Sequence, residues 1–205
     1  MSPDLTLEAG VDGPVCGIDE AGRGPWAGPV IAAAVILDQR ALPEGANDSK
    51  LLSPKRRAAL FDVIVAEAEV GIGRAEVAEI DEIGVGRATD RAMCRALDAL
   101  PRRPGHALVD GIRVPLALGC PASGYVKGDR RSLSIAAASI IAKVTRDREM
   151  VALAQQYPGY GWETNMGYGV PAHIRALDRL GVTPHHRRSF RPIHNILYQE
   201  NSLSP

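Results

Sequence analysis

Aromatic residues are scarce, at 4% of the 205 residues. The core must therefore be built from Ala, Val, Ile and Leu. Cysteine is scarcer. Cys16, Cys94 and Cys120 stand far apart, their number is odd and no CxxC pair occurs. Neither a disulfide framework nor a Cys-ligated zinc site is expected, and each thiol reads as a small reduced core residue of a cytoplasmic protein. Long apolar runs are missing too. Val30–Leu37 counts eight residues, far short of the ~20 that a spanning helix needs, so no membrane segment is expected. Met1–Gly10 carries Asp4 and Glu8 and lacks both a basic start and an apolar stretch, which argues against a secretory signal.

What is present is ordinary globular material: 45% hydrophobic and 23% charged residues. That balance excludes bulk disorder and a collagen-like repeat. The length fits one domain of the common ~100–200 residue class, with at most a small appendage. Net charge is zero, with 24 basic and 24 acidic residues, but it is unevenly placed. Residues 1–126 hold 13 Lys/Arg against 18 Asp/Glu, giving −5; residues 127–191 hold 11 against 5, giving +6. The run His185-His186-Arg187-Arg188 falls in the basic part. An acidic front and a basic back suggest one cationic face.

Val15–Asp19 and Val30–Leu37 are β-branched apolar runs joined by a Gly-rich segment, Gly22 to Pro29. They predict two buried strands in a hairpin. Ser53-Pro54 reads as an N-cap followed by Pro at the first helical position, with Leu60, Phe61, Ile64, Val65 and Ala68 at helical spacing behind it. Val70–Val77 predicts a third strand, Gly86–Leu100 a helix, and His106–Asp110 and Gly124–Lys127 two short strands. Ser132–Tyr157 predicts a long Ala-rich helix stopped by Pro158, and Pro171–Leu180 a shorter one closed by Gly181. Strands alternating with helices give an α/β protein with a mixed sheet. After Phe190 no strong pattern is visible.

Three strands end alike, in an acid with Gly beside or near it: Asp19-Glu20-Ala21-Gly22, Asp110-Gly111 and Gly128-Asp129. Open α/β sheets bind ligands outside strand ends. Carboxylates crowded at one edge repel one another, and a divalent cation removes the conflict. Oxygen ligands without Cys or a His pair at metal spacing point to Mg²⁺ or Mn²⁺. Neighbours on a regular strand face opposite ways, so Asp19 and Glu20 share a site only if the chain bends there.

These residues resemble a known family. Gly17-Ile18-Asp19-Glu20-Ala21-Gly22-Arg23-Gly24-Pro25 is similar to the opening signature of bacterial ribonuclease HII, the type 2 ribonuclease H family. The resemblance continues through Ala27-Gly28-Pro29-Val30, Asp48-Ser49-Lys50, Val109-Asp110-Gly111, Lys127-Gly128-Asp129 and the stretch Ser134 to Asp147. It ends with Tyr157-Pro158, Gly167-Tyr168-Gly169, His173 and His186-Arg187-Arg188-Ser189-Phe190. It implies a ribonuclease H-like fold, a mixed five-stranded sheet flanked by helices with extra C-terminal helices. It divides the chain into an N-terminal extension (1–14), a catalytic domain (15–192) and a tail (193–205).

The resemblance further implies hydrolysis of the RNA strand in RNA–DNA hybrids. It implies incision 5′ of single ribonucleotides embedded in duplex DNA, leaving 3′-hydroxyl and 5′-phosphate ends. Asp19, Glu20, Asp110 and Asp129 fall on the catalytic acids, which would hold two divalent ions with substrate. Gly22-Arg23-Gly24 falls on the segment that reads the 2′-hydroxyl, the group that distinguishes RNA from DNA. Tyr168 falls on the tyrosine that packs on the next deoxyribose. Lys50, Lys143 and Arg146 are candidates for phosphate contacts, with His186 and Arg188 behind them. Met166 and Val170 depart from the usual Lys and Thr around Gly-Tyr-Gly, and Pro192–Pro205 shows no partner-binding peptide. A monomer is expected. Two other readings stay open on the fold alone: a nuclease or strand-transfer enzyme indifferent to the 2′-hydroxyl, and a non-catalytic nucleic-acid-binding module. Unneutralised acids would repel a phosphate backbone, which argues against the last.

Overall fold

The structure is a computed structural model that describes residues 3–198. A short helix α1 (Thr6–Ala9) precedes the hairpin β1 (Val15–Ala21) and β2 (Val30–Ile36). Then come α2 (Pro54–Glu67), β3 (Glu69–Ala75), α3 (Val77–Ile83) and α4 (Val85–Asp98). Strands β4 (His106–Asp110) and β5 (Ala122–Tyr125) follow, then α5 (Leu133–Gln156), α6 (Trp162–Asn165), α7 (Pro171–Leu180) and α8 (Arg191–Tyr198). The five strands form one mixed sheet in the order β3-β2-β1-β4-β5. β1 runs antiparallel to β2 and parallel to β4, and β4 runs parallel to β5. The expected five-stranded α/β architecture is therefore present.

All seven residues of β2 are buried because helices cover both faces. Val30, Ala32 and Ala34 pack with Ala88, Ala92 and Ala96 of α4. Ile31, Ala33 and Val35 pack with Leu60 and Ile64 of α2 and with Ala137 and Ile141 of α5. This two-residue alternation is the strand period. Small side chains let the layers approach closely. A Cβ added at Gly73 would run into the Ala92 carbonyl of α4, so β3 and α4 touch through backbone. A third cluster joins Met150 and Leu153 of α5 to Tyr160, Trp162, Leu177 and Ile193, and it roots the C-terminal helices.

The caps follow local chemistry. Ser53 accepts from the Arg56 N–H at 3.2 Å with Pro54 in the first turn of α2, and Ser132 accepts from the Ile135 N–H at 3.1 Å to start α5. Glu8 of α1 reinforces α5, accepting from the Ser134 N–H at 3.0 Å and from the Ser132 and Ser134 hydroxyls at 2.6 and 2.7 Å. All three cysteines are free thiols.

The structure corrects several sequence boundaries. β3 stops at Ala75 because Glu76 is the N-cap of α3, a helix that short-range periodicity did not reveal. β5 ends at Tyr125, two residues early, because Lys127 adopts a left-handed φ of 54°. The segment after Phe190, patternless in sequence, forms α8 and buries Ile193 fully. Residues 199–205 of the expected tail lie outside the described residues. Among the described residues, no helix is long and apolar enough to cross a membrane.

Candidate active site

The parallel register of β1 and β4 pairs Ile18 with Val109, so Asp19 and Asp110 come next on neighbouring strands. Gly128-Asp129-Arg130 forms a single 3₁₀ turn after β5. The Gly128 N–H donates to Asp110 Oδ1 at 2.7 Å, locking that turn onto the end of β4. Asp19, Asp110 and Asp129 each offer a carboxylate oxygen, and these oxygens lie within 4.8 Å of one another. Asp19 and Asp129 are each only 6% exposed.

Such crowding in a poorly hydrated place disfavours charge. Burial first, then the Glu20 and Asp110 charges, push Asp19 well above the usual carboxylate range. Burial, then the Asp110 and Asp48 charges, push Asp129 up to about 6. Hard oxygen donors at this spacing, carrying charge they can hardly retain alone, suit a divalent cation such as Mg²⁺ or Mn²⁺.

Glu20 lies outside that trio of oxygens but lines the same cleft as Asp19. Its ladder pairing with Ala32 is unbroken, and its Oε1 lies 3.3 Å from Arg23 Nη1. Burial raises its pKa, the Arg23 charge opposes that, and Asp110 raises it further, so Glu20 borders the same edge.

A second clamp was not foreseen from sequence. Asp48 caps the turn Ser49–Leu51 by accepting from the Lys50 N–H at 2.9 Å. Its other oxygen accepts from Arg130 Nη2 at 2.9 Å, next to Asp129. Ser139 of α5 donates its hydroxyl to Ser49 at 2.8 Å and pins this turn to the helix. The signal was the run Asp48-Ser49-Lys50, which pointed only to Lys50. Lys50 itself is exposed beside the acids.

The Gly22–Pro29 segment is held from beneath. Arg187 is fully buried and donates to the carbonyls of Gly22, Arg23, Gly28 and Pro29 at 2.5–3.2 Å. Burial and the neighbouring Arg146 charge pull its pKa down to about 9. Arg146, expected to contact phosphate, is likewise interior at 1% exposed. It donates to the carbonyls of Pro29, Met166 and Ala27 at 3.0–3.1 Å. A guanidinium so engaged orders the loop and is not presented to a phosphate. His186 is corrected for the same reason: it is fully buried and bonded to Thr183 and His173. Arg188 remains exposed. Two cations of the basic region are thus internal and add nothing to a cationic face.

A cleft of about 290 Å³ collects the remaining residues. Asp19, Glu20 and the Gly22-Arg23-Gly24 turn form one wall, with Lys50, Lys143 and Tyr168 around it. Tyr168 is 47% exposed, and a Cβ added at Gly24 would lie 3.4 Å from its ring. Lys143 Nζ lies 2.7 Å from Asp147 Oδ1. Met166, where the resemblance led one to expect Lys, packs against the third apolar cluster.

The chain is similar to known proteins over most of its length. A family model described as Ribonuclease HII matches residues 16–193. A ribonuclease HII of Roseobacter denitrificans is 58% identical over 191 residues, covering 93% of this chain and 96% of that protein. The crystal structure of the ribonuclease H2 from Pyrococcus horikoshii OT3 superposes with a TM-score of 0.78 at 28% identity, covering 91% of this chain and 98% of that one. Bst-RNase HIII, solved in complex with Mn²⁺, shares the fold with a TM-score of 0.68 at 19% identity, over 92% of this chain and 70% of that one.

Proposed function

The chain belongs to the ribonuclease HII family and is an endoribonuclease of the ribonuclease H type; from that premise we propose that it hydrolyses the RNA strand of RNA–DNA hybrids and incises duplex DNA 5′ of a single embedded ribonucleotide, leaving 3′-hydroxyl and 5′-phosphate ends. One observation carries the reading: three carboxylates, from within β1, from the end of β4 and from the turn after β5, converge within 4.8 Å. Asp19, Asp110 and Asp129, with Glu20 at their border, are the residues to hold two Mg²⁺ or Mn²⁺ ions with substrate. When bound, the ions supply an activated water and stabilise the leaving 3′-oxygen of an in-line displacement.

The chain's own groups do the rest. No side-chain nucleophile is required. Gly22, Arg23 and Gly24 bring backbone groups to the 2′-hydroxyl, and Gly22 at φ 99° permits the turn that does so. Arg187 and Arg146 hold that turn before substrate arrives, so its ordering cost is not met during binding. The Tyr168 ring, exposed beside Gly24, packs on the sugar of the following deoxynucleotide. Lys50 and Lys143 contact phosphates and position the duplex without reading its sequence. Residues 15–192 act as one catalytic unit, a monomer working in the cytoplasm.

The test is cleavage of duplex DNA bearing one ribonucleotide beside an all-DNA control, with and without Mg²⁺ or Mn²⁺. Metal-dependent cutting of the ribonucleotide substrate alone is expected. Equal cutting of both would favour a nuclease indifferent to the 2′-hydroxyl. Binding without any metal-dependent product would favour a non-catalytic module.

A further inference from the structure

Beneath Tyr168 runs a buried chain of hydrogen bonds that the metal site does not use. The Thr183 N–H donates to His186 Nδ1 at 3.0 Å. A ring nitrogen that accepts carries no proton, so the neutral His186 is protonated at Nε2. That Nε2 lies 3.0 Å from His173 Nε2. The same His173 nitrogen accepts from the Trp162 indole N–H at 3.1 Å. His173 Nε2 is therefore bare, and its proton sits on Nδ1. Nδ1 lies 2.9 Å from the carbonyl oxygen of Tyr168. The direction of every link is thus set by the backbone donor at one end and the indole donor in the middle.

Both imidazoles are fully buried. Burial, then the neighbouring His173, pulls His186 down to about 3, and burial lowers His173. Both rings therefore stay neutral, as the chain requires. The other bonds to the Tyr168 backbone are local. Its N–H donates to the Asn165 carbonyl at 2.9 Å, and its carbonyl also accepts from the Val170 N–H at 2.8 Å. These move with the loop, whereas His173 reaches it from α7. The loop also contains Met166 at a left-handed φ of 50°, a conformation that its surroundings must hold.

We infer that His173 is a positioning residue: by donating from Nδ1 to the Tyr168 carbonyl it fixes the backbone that presents the Tyr168 ring, and so sets the preference for a ribonucleotide–deoxyribonucleotide junction over a continuous hybrid. The inference rests on the role proposed above for Tyr168.

Two variants separate positioning from packing. His173→Asn places an amide nitrogen near the position of Nδ1 and keeps the donor to Tyr168. His173→Gln places its amide near Nε2, keeps an acceptor for Trp162 and His186, and loses the Tyr168 bond. The readout is the ratio of kcat/KM on a single-ribonucleotide duplex to kcat/KM on a long hybrid. Both rates come from one preparation, so any unfolded fraction cancels. His173→Gln should lower the ratio about fivefold, the size of one neutral hydrogen bond, toward that of Tyr168→Ala. His173→Asn should stay near the parent ratio even where its Tm falls. A parent-like ratio in His173→Gln, with Tyr168→Ala reduced, overturns the inference alone. Equal loss in both His173 variants also overturns it, since packing would then be the cause. An unchanged ratio in Tyr168→Ala removes the role of Tyr168 and the inference with it.

Discussion

Asp48 Oδ2 accepts from Arg130 Nη2 at 2.9 Å, and this ion pair ties the turn carrying Lys50 to the turn carrying Asp129. Asp48→Ala removes the pair and also the cap on the Lys50 N–H. Outer partners of metal ligands are commonly worth ~10–100-fold in activity or metal affinity. A Mg²⁺ titration of cleavage should therefore shift to higher concentration, with kcat about tenfold lower. Parent-like values for both would show that Asp129 needs no such support.

Asp19→Asn and Asp129→Asn keep the side-chain shape and remove the charge. Turnover on hybrids should fall by orders of magnitude with modest loss of binding, because a ligand of the ions is lost while the cleft remains. Near-normal rates in saturating Mg²⁺ would take that residue out of the mechanism.

The raised carboxylates make metal-free stability depend on pH. Asp129 titrates near 6 in the folded chain and in the ordinary aspartate range when unfolded, so ionisation opposes folding. Its contribution is fully present below the unfolded value and is lost as pH rises through about 6. Asp19 shifts the same way. In chelator, Tm should decline between about pH 4 and about pH 6.5 more steeply in the parent than in Asp129→Asn. Mg²⁺ should raise the parent Tm more at the higher pH, since it binds the ionised acids. Identical pH slopes in the two proteins would contradict the crowding described here.

Gly22→Ala tests the turn that brings backbone to the 2′-hydroxyl. Gly22 has φ 99°, and an added Cβ would lie 2.7 Å from the Pro29 carbonyl and would overlap the Arg146 side chain. Left-handed strain alone costs ~1–3 kcal/mol, and displacing Arg146 adds to it. A lower Tm is expected, with a larger loss on single-ribonucleotide duplex than on long hybrid. A parent-like Tm would mean that the turn can relax.

Much of this site is legible without coordinates, because its signals are local. Asp110 followed by Gly111 is visible as an acid at a strand end, Asp19 as an acid just before the Gly22 turn, and Ser53-Pro54 caps its helix as expected. Other features are not local. Glu20 reads as an equal partner of Asp19, yet it lies outside the trio of converging oxygens and lines the cleft beside Arg23. Arg146 reads as an exposed helical cation, but Ala27 and Pro29 supply carbonyls that take it inward. α8 shows its apolar stripe of Ile193, Ile196 and Leu197 only once it docks on the third cluster, since eight residues carry too short a pattern to read alone.

The chain's own order of residues determined the hairpin, the buried β2, the long α5 and the acids at or near the strand ends, since two- and 3.6-residue periods and caps act between near neighbours. The tertiary structure alone decided which acids meet, that Arg187 lies under Gly22 from 165 positions away, and that Asp48 holds Arg130 across 82. Those pairings depend on how β4 and α5 settle against β1, and no short-range rule encodes that packing.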